Sequence, residues 1–182
     1  VVVSGPGTGV ATGIIKKLEH LLIILDFERI VEGICPETSL KISQLEGLDS
    51  RERNNIPLLI AEDSMLLCQL ISDALHTAGY TKLIIKNTGQ EAWDYLKELK
   101  KNSGVDYGVK CLITDIEMPL MDGHRLTRIV KEDSQTKDIP VVIFSSLVHE
   151  EMKRKGEALG ADAQLSKPEI GNLVRIIDEL VL

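Results

Sequence analysis

From Ile56 to Leu182 short apolar runs alternate five times with longer segments of helical period, and no other feature constrains the fold as much. The runs are Leu58 to Glu62, Lys82 to Lys86, one ending at Asp115, Val141 to Ser145, and Ala163 to Leu165. The segment from about Met65 to Ala78 carries Leu67, Leu70, Ile71, Ala74 and Leu75 at helical spacing, and Gly79 suits the position just past its end. Further helices are expected over about Gln90–Lys101 and Gly123–Lys131, from near Val148, and through Ile170, Leu173, Val174, Ile176, Ile177 and Leu180. Alternation of this kind requires crossover connections, which are right-handed. It predicts an α/β fold, a parallel sheet with helices on both faces.

What stands at the strand ends matters more than the strands. The first run ends in Glu62-Asp63, the third in Asp115, the fourth in Ser145-Ser146, and the fifth leads through Gln164-Leu165-Ser166 to Lys167-Pro168. In one parallel sheet all of these side chains gather at the carboxyl edge, where open α/β sheets build their sites. Three carboxylates in one pocket repel each other and invite a hard divalent cation with oxygen ligands, and Mg²⁺ is the ion expected. A carboxylate is also a competent nucleophile toward phosphorus. Lys167 would then give a point charge to one phosphoryl oxygen and Ser145 a hydroxyl to another. Each residue also has a plain structural reading. Asp63 or Ser64 would serve as a helix N-cap, Asp122-Gly123 as a turn, and Lys167 as a solvated surface charge. Those readings need four coincidences to hold together.

Residues 56–182 resemble a two-component receiver domain. The resemblance rests on Glu62-Asp63, Asp115 with Met118-Pro119 and Met121-Asp122-Gly123, Ser145, and Lys167-Pro168, in that order. It implies a flavodoxin-like, CheY-like five-stranded parallel sheet of order 2-1-3-4-5, with the first and third strands adjacent. It further implies Asp115 as phosphoacceptor, Ser145 as switch hydroxyl and Lys167 as phosphoryl partner. The Mg²⁺ site would be Glu62, Asp63, Asp115 and the backbone carbonyl of Glu117. The Lys167–Pro168 bond is expected to be cis. Where receivers commonly carry a switching aromatic on the last strand, this chain has Gln164. An amide buried without a partner is costly, so Gln164 is expected to stay near the surface.

The amino-terminal part reads differently. Val10 to Ile15 and Leu21 to Leu25 are β-rich runs joined by a charged turn. A short helix is expected over Phe27 to Ile34, stopping at Cys35-Pro36. Thr12 to Lys16, Leu22 to Ile30, and Ile34 to Thr38 are similar to the end of a CheW-like coupling domain. The division expected is therefore a coupling-domain fragment at 1–35, a linker at 36–55 and a receiver at 56–182. A coupling domain followed by a receiver resembles the CheV-type chemotaxis adaptors. That resemblance implies a histidine kinase of the CheA type and chemoreceptors as partners, and a phosphoacceptor module rather than an enzyme. The valine at position 1 suggests a fragment or a processed chain, and extra modules are expected only on the amino-terminal side.

Composition excludes several classes. The net charge of −7 argues against nucleic acid as a partner, and no apolar run is long enough to span a bilayer. With no signal peptide evident and an odd three cysteines lacking metal spacing, a cytoplasmic protein is expected. The Gly5–Thr12 stretch has Val10 where a phosphate loop needs lysine, and Thr12 where a dinucleotide fingerprint needs glycine. The four histidines lie at no ligand or triad spacing. Two alternatives remain. One is the receiver of another two-component fusion. The other is a haloacid-dehalogenase-like phosphatase, whose motif wants aspartate where Glu117 stands and metal acids after the lysine.

Overall fold

A computed structural model describes residues 11–17, 20–25, 52–102, 108–146, 150–167 and 169–182. The chain divides into two units, Val1–Leu40 and Lys41–Leu182. In the first, β1 (Ala11–Lys17) pairs antiparallel with β2 (His20–Leu25), Ile15 opposite Leu22 and Lys17 opposite His20. β1 thus continues through the two lysines expected in the turn. The expected helix at Phe27–Ile34 and most of the 36–55 linker lie outside the described residues.

The second unit runs β3 (Asn54–Ala61), α1 (Met65–Thr77), β4 (Tyr80–Lys86), α2 (Gly89–Asn102), β5 (Cys111–Thr114), α3 (Gly123–Glu132), β6 (Val141–Ser145), α4 (Glu150–Ala158), β7 (Ala163–Ser166) and α5 (Ile170–Val181). Its five strands are parallel in the order β4-β3-β5-β6-β7, which is 2-1-3-4-5 when counted from β3. The expected fold is the observed one.

Both faces of the central strands are buried, as parallel sheets require. Side chains alternate across β3: Leu58 and Ile60 join a cluster with Ile113, Phe144 and the inner faces of α1 and α5. Leu59 and Ala61 join another with Leu112, Val141 and residues of α2 and α3, including Leu96 and Leu126. Leu58, Leu59 and Ile60 are each 0% exposed, so burying any one of them is worth about 1.5–3 kcal/mol.

Local chemistry sets the helix ends. Ser64 caps α1 by accepting the Leu67 N–H at 3.4 Å, and Gly79 takes a φ of 94° just past its end. Ser64, then, is the cap, and Asp63 is left for other work. Asp122 caps α3 by accepting the Arg125 N–H at 2.8 Å.

Candidate functional site

The register Ala61↔Thr114 sets the ends of β3 and β5 side by side, so Glu62-Asp63 and Asp115 emerge together at the carboxyl edge. Asp115 is 5% exposed and held on several sides. Its N–H donates to the Ala61 carbonyl at 3.0 Å. Its Oδ1 accepts the Ile116 N–H at 2.6 Å, and its Oδ2 lies 2.7 Å from Lys167 Nζ. Glu62 is 1% exposed, and its carboxylate reaches Lys167 Nζ at 3.2 Å. Asp63 is exposed, yet carboxylate oxygens of Glu62, Asp63 and Asp115 all lie within 4.8 Å of one another.

Electrostatics follow from this packing. Burial pushes the Glu62 carboxyl above its ordinary range; Lys167 pulls it down and Asp115 pushes it further up. Burial works to lower the Lys167 amine, but its hydrogen bond and charge contact with Asp115, and then with Glu62, outweigh that and raise it. One ammonium thus stands against two buried carboxylates, with the exposed Asp63 beside them. An oxygen-only donor set with excess negative charge suits a hard divalent cation, so the residues fit the metal expected of them.

The remaining expected residues fall around this cluster. Ser145 ends β6, is 1% exposed and stands opposite Ser166 in the β6–β7 register; its carbonyl accepts the Lys167 N–H at 3.3 Å. Glu117 lies two residues beyond Asp115 with its side chain exposed. Pro168 is outside the described residues, and with it the isomer of the Lys167–Pro168 bond. Gln164 is half-buried, and its amide donates to the Lys153 carbonyl at 2.6 Å.

Two supports escaped the sequence reading. The Thr114 hydroxyl donates to the Asp115 carbonyl at 2.9 Å. Gly123 packs so tightly on that carbonyl that a Cβ would overlap its oxygen and stand 2.8 Å from its carbon. The close approach depends on the loop between them. Leu120 takes a φ of 67° and the Met121 N–H donates to the Pro119 carbonyl at 2.8 Å. This tight three-residue turn returns Met121 to the core and costs about 1–3 kcal/mol of strain.

An open parallel sheet of this strand order, with carboxylates, a hydroxyl and a lysine at its carboxyl edge, has the receiver type of fold. The chain belongs to the response regulator receiver domain family, which it matches over residues 58–178. It is 30% identical over 156 residues to chemotaxis protein CheV2 of Helicobacter pylori, covering 84% of this chain and 47% of that one. It is 45% identical over 125 residues to the gliding motility regulatory protein of Myxococcus xanthus, covering 68% and 15%. The chain therefore spans about half the length of the first relative and a small part of the second. The solved structure of chemotaxis protein CheY4 of Vibrio cholerae superposes with a TM-score of 0.58 at 27% identity, over 70% of this chain and 99% of that one. Receivers of this family are generally phosphoacceptor modules rather than enzymes. Among the described residues no helix is long and apolar enough to cross a membrane.

Proposed function

We propose that Asp115 accepts a phosphoryl group from a histidine kinase of the CheA type, and that the chain is part of a CheV-type chemotaxis adaptor. The observation that carries the first part is the cluster of Lys167 with Asp115, Glu62 and Asp63 at one sheet edge. In the transfer Asp115 Oδ attacks phosphorus, a P–O bond forms, and the P–N bond to the donor histidine breaks. The imidazole leaves with the electron pair and takes a proton from solvent. Glu62, Asp63, Asp115 and the Glu117 carbonyl would hold Mg²⁺, which when bound offsets charge on the phosphoryl oxygens. Lys167, already 2.7 Å from Asp115, supplies charge to a phosphoryl oxygen, and the Ser145 hydroxyl supplies a donor to another.

Support for the adaptor reading comes from the extent of the likeness to CheV2. An alignment over 84% of the chain cannot fit within residues 58–178, so it reaches into the amino-terminal part. On this reading residues 1–35 are the end of a CheW-like coupling domain, 36–55 a linker and 56–182 the receiver. The adaptor would work in the cytoplasm, linking chemoreceptors to the kinase, with phosphorylation tuning the link. The identity to the gliding motility regulatory protein favours a second reading, the receiver of another two-component fusion.

Incubation with acetyl phosphate and Mg²⁺ should add one phosphoryl group by intact mass, and Asp115→Ala should abolish it. Labelling of the variant at the parental level would reject Asp115 as acceptor. Transfer from a phosphorylated CheA-type kinase tests the partner; transfer only from kinases of other systems would favour the second reading.

A further inference from the structure

Among the described residues, two buried side-chain polar atoms lack a hydrogen-bond partner, Gln164 Oε1 and His124 Nε2. Both belong to side chains that meet α4. The Gln164 amide lies flat on Gly156, where a Cβ would stand 2.6 Å from its Cδ and 2.8 Å from its Nε2. That Nε2 donates to the Lys153 carbonyl one turn earlier on the helix. His124, 4% exposed at the start of α3, hydrogen-bonds the Met152 main chain and sits near the Lys155 charge. It shares with Met152 and Lys155 a groove of about 490 Å³ that also reaches Ile116, Glu117 and Met118.

Among the described residues α4 has little else to hold it. Gly156 is its one buried residue, Met152 is half-buried, and the other seven are exposed. None of its residues joins either core cluster, whereas each other helix of this unit buries three or more residues. A helix held by apolar area tolerates small shifts, because burial is non-directional. One held mainly by two hydrogen bonds, from Gln164 to Lys153 and between His124 and Met152, does not, because hydrogen bonds weaken steeply off their geometry. Lifting the helix would break the bonds at Lys153 and Met152 but open both unpaired atoms to solvent, which offsets part of that loss.

We infer that the Gln164 amide is a polar latch on Gly156 and Lys153, and that α4 opens as a unit apart from the core at a frequency this latch sets. Opening bares the groove beside the Asp115 loop. The latch stands whether or not Asp115 is phosphorylated, so its failure and that of the phosphoacceptor reading are separable.

Native-state hydrogen exchange, resolved by residue on the full chain, tests it. Gln164→Ala removes one hydrogen bond and should speed exchange in residues 153–158 by about tenfold, leaving β3 and β5 unchanged. In an ordinary helix Gly→Ala slows opening by about fivefold through helix propensity. Here Gly156→Ala should instead speed α4 exchange, because the new methyl strikes the amide. In the Gln164→Ala background the same Gly156→Ala change should slow it. The sign reversal is the signature. Slowing by Gly156→Ala in both backgrounds, or α4 exchange unmoved by Gln164→Ala, would overturn the latch. So would α4 amides exchanging only at the rate of β3 and β5.

Discussion

Replacing Lys167 by methionine removes the ammonium that Glu62 and Asp115 share and leaves the packing volume nearly intact. At an effective dielectric of about 20, charges 2.7 Å and 3.2 Å apart attract by roughly 6 and 5 kcal/mol. Desolvation of all three groups cancels much of that. Removing one partner of a buried pair costs about 3–5 kcal/mol in practice. Exposed Asp63 keeps one side of the cluster wet, so we expect the lower end, about 3 kcal/mol at pH 7. The pH dependence supplies a second, independent mark. Without Lys167, burial and Asp115 push the Glu62 carboxyl still higher, opposed only by the Ser64 N–H. A carboxyl raised in the folded state binds its proton more tightly folded than unfolded. Stability therefore falls as pH rises from the ordinary value of 4.5 through the folded one. Lys167 itself, raised in the fold, contributes fully below its ordinary 10.5 and is charged throughout this range. The penalty should thus be smaller at pH 5 than at pH 7. Urea melts of both proteins at the two pH values, with equal m, give the comparison. A variant as stable as its parent at pH 7, or a penalty equal at both pH values, refutes the reasoning.

Three further outcomes follow from the site and its supports. Asp63→Asn should lose most of the Mg²⁺-dependent rise in melting temperature shown by the parent, measured by calorimetry with and without the ion. Gly123→Ala drives a methyl into the Asp115 carbonyl, so it should cost about 1–3 kcal/mol in urea melts and slow labelling by acetyl phosphate. Tyr80→Phe removes the 2.8 Å hydrogen bond to Asp178 Oδ1 far from the site. It should cost about 1 kcal/mol with labelling unchanged.

The sheet and its acidic edge were legible because they depend on short-range signals. Apolar runs of strand length, helical periods between them and distinct groups at the run ends need only parallel pairing to assemble. The boundaries were less legible where pairing extends an element beyond its apolar run. β3 begins at Asn54, two residues inside the expected linker, because the Asn54 N–H donates to the Gly79 carbonyl at 2.8 Å and its side chain accepts the Ile56 N–H. β4 begins at Tyr80 rather than Lys82 because Tyr80, 0% exposed, is already packed in the core.

Contacts between distant segments away from the strand ends were not legible, and glycine shows why. Gly123 opens α3, where the sequence offered it as a turn and motif residue, and Gly156 stands inside α4, where it reads only as a propensity defect. In the fold each is the place where another group passes too close for a Cβ: the Asp115 carbonyl at one, the Gln164 amide at the other. Local weakness without a local reason marks a tertiary contact. The amide at 164 completes the argument. Its residue type predicted that it needs a partner, and it has one in the Lys153 carbonyl. Its position alone could not say that the partner would be a helix that adds no residue to either core cluster.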